Sequence, residues 1–208
     1  AADDGAAFQS TNIENFKFRT TGAVALDLGD VTGVTSITAE RNAGALTLND
    51  VLEIPSTVTI DRASGGAALT LTFNGTTIEG TGDEITLNVS QSSNSGATTL
   101  NGIETINVVS TDDPAGTTKN DLDLTATGSG SATEVINISG TGDLDIVAAE
   151  ALTVNNSASG DVDLTPTKAT TITHTGSGKL TVASAAVAST TTASGTGALT
   201  FTAGAAVQ

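Results

Sequence analysis

Residues 101–164 read NGIETINVVSTDDPAGTTKNDLDLTATGSGSATEVINISGTGDLDIVAAEALTVNNSASGDVDL. One phrase recurs in this stretch: Asp121-Leu-Asp123-Leu, Asp143-Leu-Asp145-Ile and Asp161-Val-Asp163-Leu. Carboxylate and aliphatic alternate in each, so a strand puts both Asp on one face and the aliphatics on the other. The phrases begin 22 and then 18 residues apart, with other short strands between them, Glu134–Ile138 and Leu152–Val154. A strand every nine or ten residues, with a similar one every twenty or so, predicts a right-handed parallel β-solenoid with two strands per turn.

The pattern extends outward in both directions. Alternating runs bounded by Gly, Asn, Asp and Ser are read as strands at 15–19, 24–28, 36–39, 45–48, 57–60, 68–73, 84–89 and 104–109. Toward the C-terminus they continue at 121–125, 134–138, 143–147, 152–154, 161–164, 170–173, 179–182, 190–193 and 199–202. Gly75–Gly82 and Ser90–Thr99 read as longer loops; Val147–Ala151 and Asn49–Leu52 are the only places for a helical turn. Asn12–Phe18 parallels Gly102–Val108 at an offset of 90, which predicts two stacked solenoid modules, 1–99 and 100–208.

Composition agrees with a thin layered core. The 208 residues include no Cys, Met, Trp or Tyr and five Phe, so Ala, Val, Leu, Ile and Thr must fill the interior. Net charge is −16, from 23 acidic and seven basic residues, which disfavours nucleic acid and anionic membrane surfaces as partners. AADDGAAFQ at the start has neither a basic region nor an apolar run, and no stretch has the length of a membrane-spanning helix. The chain reads as a fragment of a longer secreted protein.

Catalytic motifs are absent: there is no nucleophilic Cys, no G-x-S-x-G and no His-based metal motif, so no enzyme is expected. The one His, His174, reads as an exposed strand residue, and Glu40-Arg41 and Asp61-Arg62 as surface ion pairs. Stacked rungs would bring like-charged Asp pairs about 4.8 Å apart, which is unfavourable unless a cation or a basic side chain intervenes; the alternative is a solvated acidic face in a different register. Carboxylate oxygens favour a hard ion, and Ca²⁺ tolerates irregular geometry. The expected ligands are Asp112, Asp113, Asn120, Asp121 and Asp123, brought together by the Pro114–Gly116 turn, with Asp143, Asp145, Asp161 and Asp163 along the ladder. Asp27 with Asp30, Asp50 with Glu53, and Asp83-Glu84 are secondary candidates; the strict glycine-rich calcium nonapeptide is not present. Beyond Asp161, Lys179 is expected to continue the ladder with a positive charge.

Gly102-Ile-Glu-Thr-Ile-Asn-Val-Val-Ser-Thr-Asp112 followed by Asn120-Asp-Leu-Asp-Leu-Thr-Ala-Thr127 resembles the C-terminal lattice region of RsaA-type bacterial surface-layer (S-layer) proteins. That resemblance implies a calcium-dependent solenoid, exported by type I secretion and self-assembling into a lattice on the cell surface. The partner would be the chain itself, with cell-surface polysaccharide contacted through regions outside this chain. A segment of a large secreted adhesin of the repeats-in-toxin type is the alternative. A solenoid enzyme acting on polysaccharide and an ice-binding Thr array are further readings, the latter from Thr57/Thr59, Thr70/Thr72, Thr171/Thr173, Thr190/Thr192 and Thr200/Thr202. These Thr pairs read as falling at no one rung position.

Overall fold

A computed structural model describes residues 9–93, 96–112, 119–126, 135–184 and 190–203. Within them the protein is a parallel β-solenoid and contains no helix. One nine-stranded sheet comprises β2 (Asn15–Phe18), β5 (Ser36–Glu40), β7 (Thr57–Asp61), β9 (Glu84–Ser90), β11 (Thr105–Thr111), β13 (Val135–Gly140), β15 (Thr153–Asn156), β17 (Thr171–His174) and β19 (Thr190–Ala193). The other comprises β3 (Val24–Asp27), β6 (Leu46–Val51), β8 (Leu69–Phe73), β10 (Ala97–Leu100), β12 (Asn120–Ala126), β14 (Leu144–Ala148), β16 (Val162–Pro166), β18 (Leu180–Ser184) and β20 (Leu199–Ala203). β1 (Ser10–Thr11) and β4 (Val31–Thr32) form a small third pair.

Alternation decides which residues go inside. Ile106, Ile136, Val154 and Ile172 stack in one inner column of the first long sheet, and Leu122, Ile146, Leu164 and Val182 in one of the second. All eight are buried, and each such side chain stabilises the fold by about 1.5–3 kcal/mol. Outward, Asn107, Asn137 and Asn155 form an amide ladder: Asn137 Nδ2 donates to Asn107 Oδ1 at 2.8 Å, and Asn155 Nδ2 to Asn137 Oδ1 at 2.9 Å. Asn107 continues it by donating to Glu84.

Small residues close one corner. Gly142, Gly160, Gly178 and Gly197 stack so tightly that a Cβ on any of the last three would land on the carbonyl of the preceding glycine. No positive φ is needed at these three positions; the requirement is space. A different corner places Arg41, Arg62 and Gln91 at φ 51, 54 and 50°, stacked over one another.

The strands read from alternation are all present, and four expectations are corrected or bounded by the structure. Ser90–Thr99 is not wholly loop, since β10 begins at Ala97. Asn49–Val51 and Val147–Ala148 belong to strands, not helical turns. The expected boundary at 99/100 falls inside β10, and the ladders run across it from β8 to β12 and from β9 to β13. Thr171 and Thr173 stand in register with Thr190 and Thr192, so two of the Thr pairs do share a rung position.

Candidate functional site

The acidic ladder runs along the outer face of the second long sheet. Asp121 pairs with Asp145, Asp145 with Asp163, and Asp163 with Thr181. The step from 143/145 to 161/163 is the expected one. The step before it differs by two residues, because β12 aligns Asp121 with Asp145 and Asp123 with Val147. A two-residue shift preserves the face, so the carboxylates still point outward together.

Charge on this face is partly offset from within the chain. Lys119 enters β12 and its Nζ lies 3.0 Å from Asp163 Oδ2. Burial raises the Asp163 carboxyl, but the Lys119 hydrogen bond and charge prevail and hold it below the ordinary carboxylate range. Asp145 goes the other way: burial and then the Asp163 charge push it up, against a smaller pull from Lys119.

Asp143 and Asp161 do a different job. Asp161 N–H donates to Asp143 Oδ1 at 2.7 Å, and Lys179 N–H donates to Asp161 Oδ1 at 2.8 Å. Each carboxylate thus caps the backbone of the next rung. Lys179 follows Asp161 at the equivalent position, as the register predicts, but meets it through its amide; its ammonium acts on Asp163.

Asn120 is fully buried and saturated. Its Oδ1 accepts Ser92 N–H at 2.9 Å, and its Nδ2 donates to Ser110 Oγ at 3.0 Å and Thr111 O at 2.6 Å. It ties two successive rungs together at a corner. Asp112 is exposed, its carbonyl taken by Gln91 N–H at 2.8 Å. Asp113 lies outside the described residues. Asp123 Oδ1 is buried without a hydrogen-bond partner. Among the described residues no three His, Asp or Glu side chains converge on one metal-sized site.

The secondary candidates divide similarly. Asp27 Oδ1 caps Gly29 N–H at 2.8 Å, and Glu53 Oε2 accepts Gly33 N–H at 2.9 Å. Asp30 accepts from Gln9 at 3.2 Å. Asp83 alone among them has a buried carboxylate oxygen with no partner, and Glu104 beside it has another. Asp61 forms the expected ion pair with Arg62 at 3.0 Å, whereas Glu40 pairs with Lys17 at 3.0 Å and Arg62 at 3.4 Å in place of the expected Arg41. The Lys17 hydrogen bond lowers the Glu40 carboxyl.

His174 corrects the expectation of an exposed residue. It is completely buried in the inner column Ile138–Asn156–His174. Asn156 Nδ2 lies 3.3 Å from His174 Nδ1. An amide nitrogen only donates, so Nδ1 accepts and the proton sits on Nε2, which has no partner. The signal was in TITH itself: alternation from buried Ile172 puts His174 on the same inner side.

No helix of the described residues is long and apolar enough to cross a membrane. No family model, curated protein or solved structure matches this chain.

Proposed function

We propose that this protein is a structural module of a bacterial surface layer, secreted to the cell surface, where copies of it self-assemble. It is a scaffold and not an enzyme, and calcium serves as counter-ion to its acidic faces. One observation carries the reading: two nine-stranded parallel sheets present the same outward columns rung after rung. Such a surface repeats about every 4.8 Å and offers a second copy many equivalent contacts in one register. The charge of −16 supports the calcium part, because self-repulsion weakens a compact acidic chain that has no counter-ions.

The test is electron microscopy of the purified chain in calcium and in chelator. Ordered sheets or end-to-end arrays in calcium that dissolve in chelator are expected. Isolated rods under both conditions would refute the lattice reading and favour a segment of an adhesin, whose length and rigidity need no self-association.

A further inference from the structure

Asp83 and Glu104 occupy one corner on adjacent rungs, immediately before β9 and β11. Thr105 pairs with Glu84, which stacks Glu104 on Asp83. Glu104 N–H and Thr105 N–H both donate to Asp83 O, at 3.1 and 3.0 Å, and Asp83 N–H donates back to Glu104 Oε2 at 2.9 Å. The backbone therefore fixes both residues and holds the Glu104 carboxyl at Asp83.

Two oxygens remain. Glu104 Oε1 and Asp83 Oδ2 are both buried, and neither has a hydrogen-bond partner. Glu104 as a residue is only 4% exposed. None of the ion pairs among the described residues reaches either carboxylate. Burial, and then the charge of Glu104, push the Asp83 carboxyl above its ordinary range. An ionised carboxylate buried without a partner is unfavourable, and two together are more so.

The adjacent 74–82 loop folds onto this corner. Gly80 faces the Asp83 carboxylate: a Cβ there would lie 3.8 Å from Oδ2 and 3.9 Å from Oδ1. Ile78 anchors the loop against Gly102, where its Cβ would sit 3.1 Å from an added Cβ. Backbone carbonyls of a loop held this close are the kind of additional ligand that an oxygen-loving cation uses.

We propose that Asp83 and Glu104 form a divalent-cation site in which Oδ2 and Oε1 bind calcium directly, loop carbonyls and water supplying the remaining ligands. This deepens the calcium part of the function proposed above by giving the ion a place, and it stands whether or not the chain forms a lattice. The Asp112–Asp123 region is a separate set of residues.

The test is calorimetric titration of calcium chloride into the metal-stripped chain and its Asp83→Asn/Glu104→Gln variant, with melting curves in chelator. The wild type should bind one more calcium equivalent than the variant. In chelator the variant should melt no lower than the wild type, since neutral amides end the repulsion. Should the double variant not fold, Asp83→Asn alone should bind at least about tenfold more weakly, as loss of one of two charged ligands requires. Equal stoichiometry and affinity in wild type and variant would overturn the site and leave the calcium reading intact. No calcium binding by the wild type would overturn both. If carboxyl carbon shifts show one proton shared by the pair in chelator and unchanged in calcium, the site is a proton clasp and the proposal fails.

Discussion

Gly178→Ala tests whether rung spacing rests on the stacked glycine corner. The added methyl would lie 2.5 Å from the Gly160 carbonyl carbon and closer still to its oxygen. Carbon atoms prefer about 3.5–4.0 Å, so the rungs must part locally by ~1 Å. The obstacle is backbone, with the Gly160 N–H already bonded to Gly140 O of the preceding rung at 3.4 Å, and it cannot rotate aside as a side chain can. Overpacking of this kind costs about 1–3 kcal/mol, and a backbone obstacle places the cost at the upper end. In a fold where each rung touches only its neighbours, the loss concentrates between adjacent turns. Urea unfolding gives the total, and hydrogen exchange should show faster opening of β16 and β18 with β5 and β7 unchanged. Gly75→Ala is the control, because nothing lies within 4 Å of its added Cβ. It should stay within about 0.5 kcal/mol of wild type. If Gly178→Ala is as stable as Gly75→Ala, the steric account of the corner is wrong.

Two further perturbations follow from the ladders. Asn137→Ala breaks two amide hydrogen bonds and should cost about 1–2 kcal/mol in urea unfolding, while Asn155→Ala breaks one bond of the ladder and should cost less. Lys119→Gln removes the ammonium beside Asp163, so the carboxyls of Asp163 and Asp145 should both titrate higher in a carbon-detected pH series. In the wild type the depressed Asp163 contributes stability above its unfolded value, about 3.9, which is lost as pH falls through its folded value. The raised Asp145 works oppositely, costing stability as pH rises from its unfolded value through its folded one. The variant should therefore lose stability relative to wild type on going from acid to neutral pH, by under about 1 kcal/mol because the pair is partly exposed. Unchanged carboxyl titrations would show that Lys119 does not govern this face.

The strands were legible because alternation is local: each apolar-polar pair reports its own face without knowledge of the neighbouring rung. β10 was missed because Ala97-Thr-Thr-Leu100 offers only one large aliphatic, and its second inward residue is Thr98, a buried polar group. Register was less accessible. The recurring Asp-x-Asp phrase fixed the step from β14 to β16 but not the one from β12 to β14, where the strands pair at a step of 24 residues while the phrases recur at 22. The candidate site was the least legible part. In the conspicuous acidic phrases Asp143 and Asp161 are used in capping and Asp163 by Lys119, and Asp123 Oδ1 is unpartnered by itself, whereas two unpartnered oxygens meet at the corner of Asp83 and Glu104. Corner residues lie outside any strand period, and it takes two separate rungs to bring them together.

The register columns have a genetic consequence. From Asn15 the column passes through Ser36, Thr57, Thr86, Asn107, Asn137, Asn155, Thr173 and Thr192, in steps of 21, 21, 29, 21, 30, 18, 18 and 19 residues. Rungs of very different length thus stack with the same geometry, since surplus residues leave at the corners. An insertion in a looped-out corner such as 74–82 leaves the sheet register intact, unlike one at the stacked glycine corner, and a tandem duplication of one 18-residue segment adds a whole turn, lengthening the stack by about 4.8 Å. Length in such a gene can change by slippage, one turn at a time, with no new core to invent.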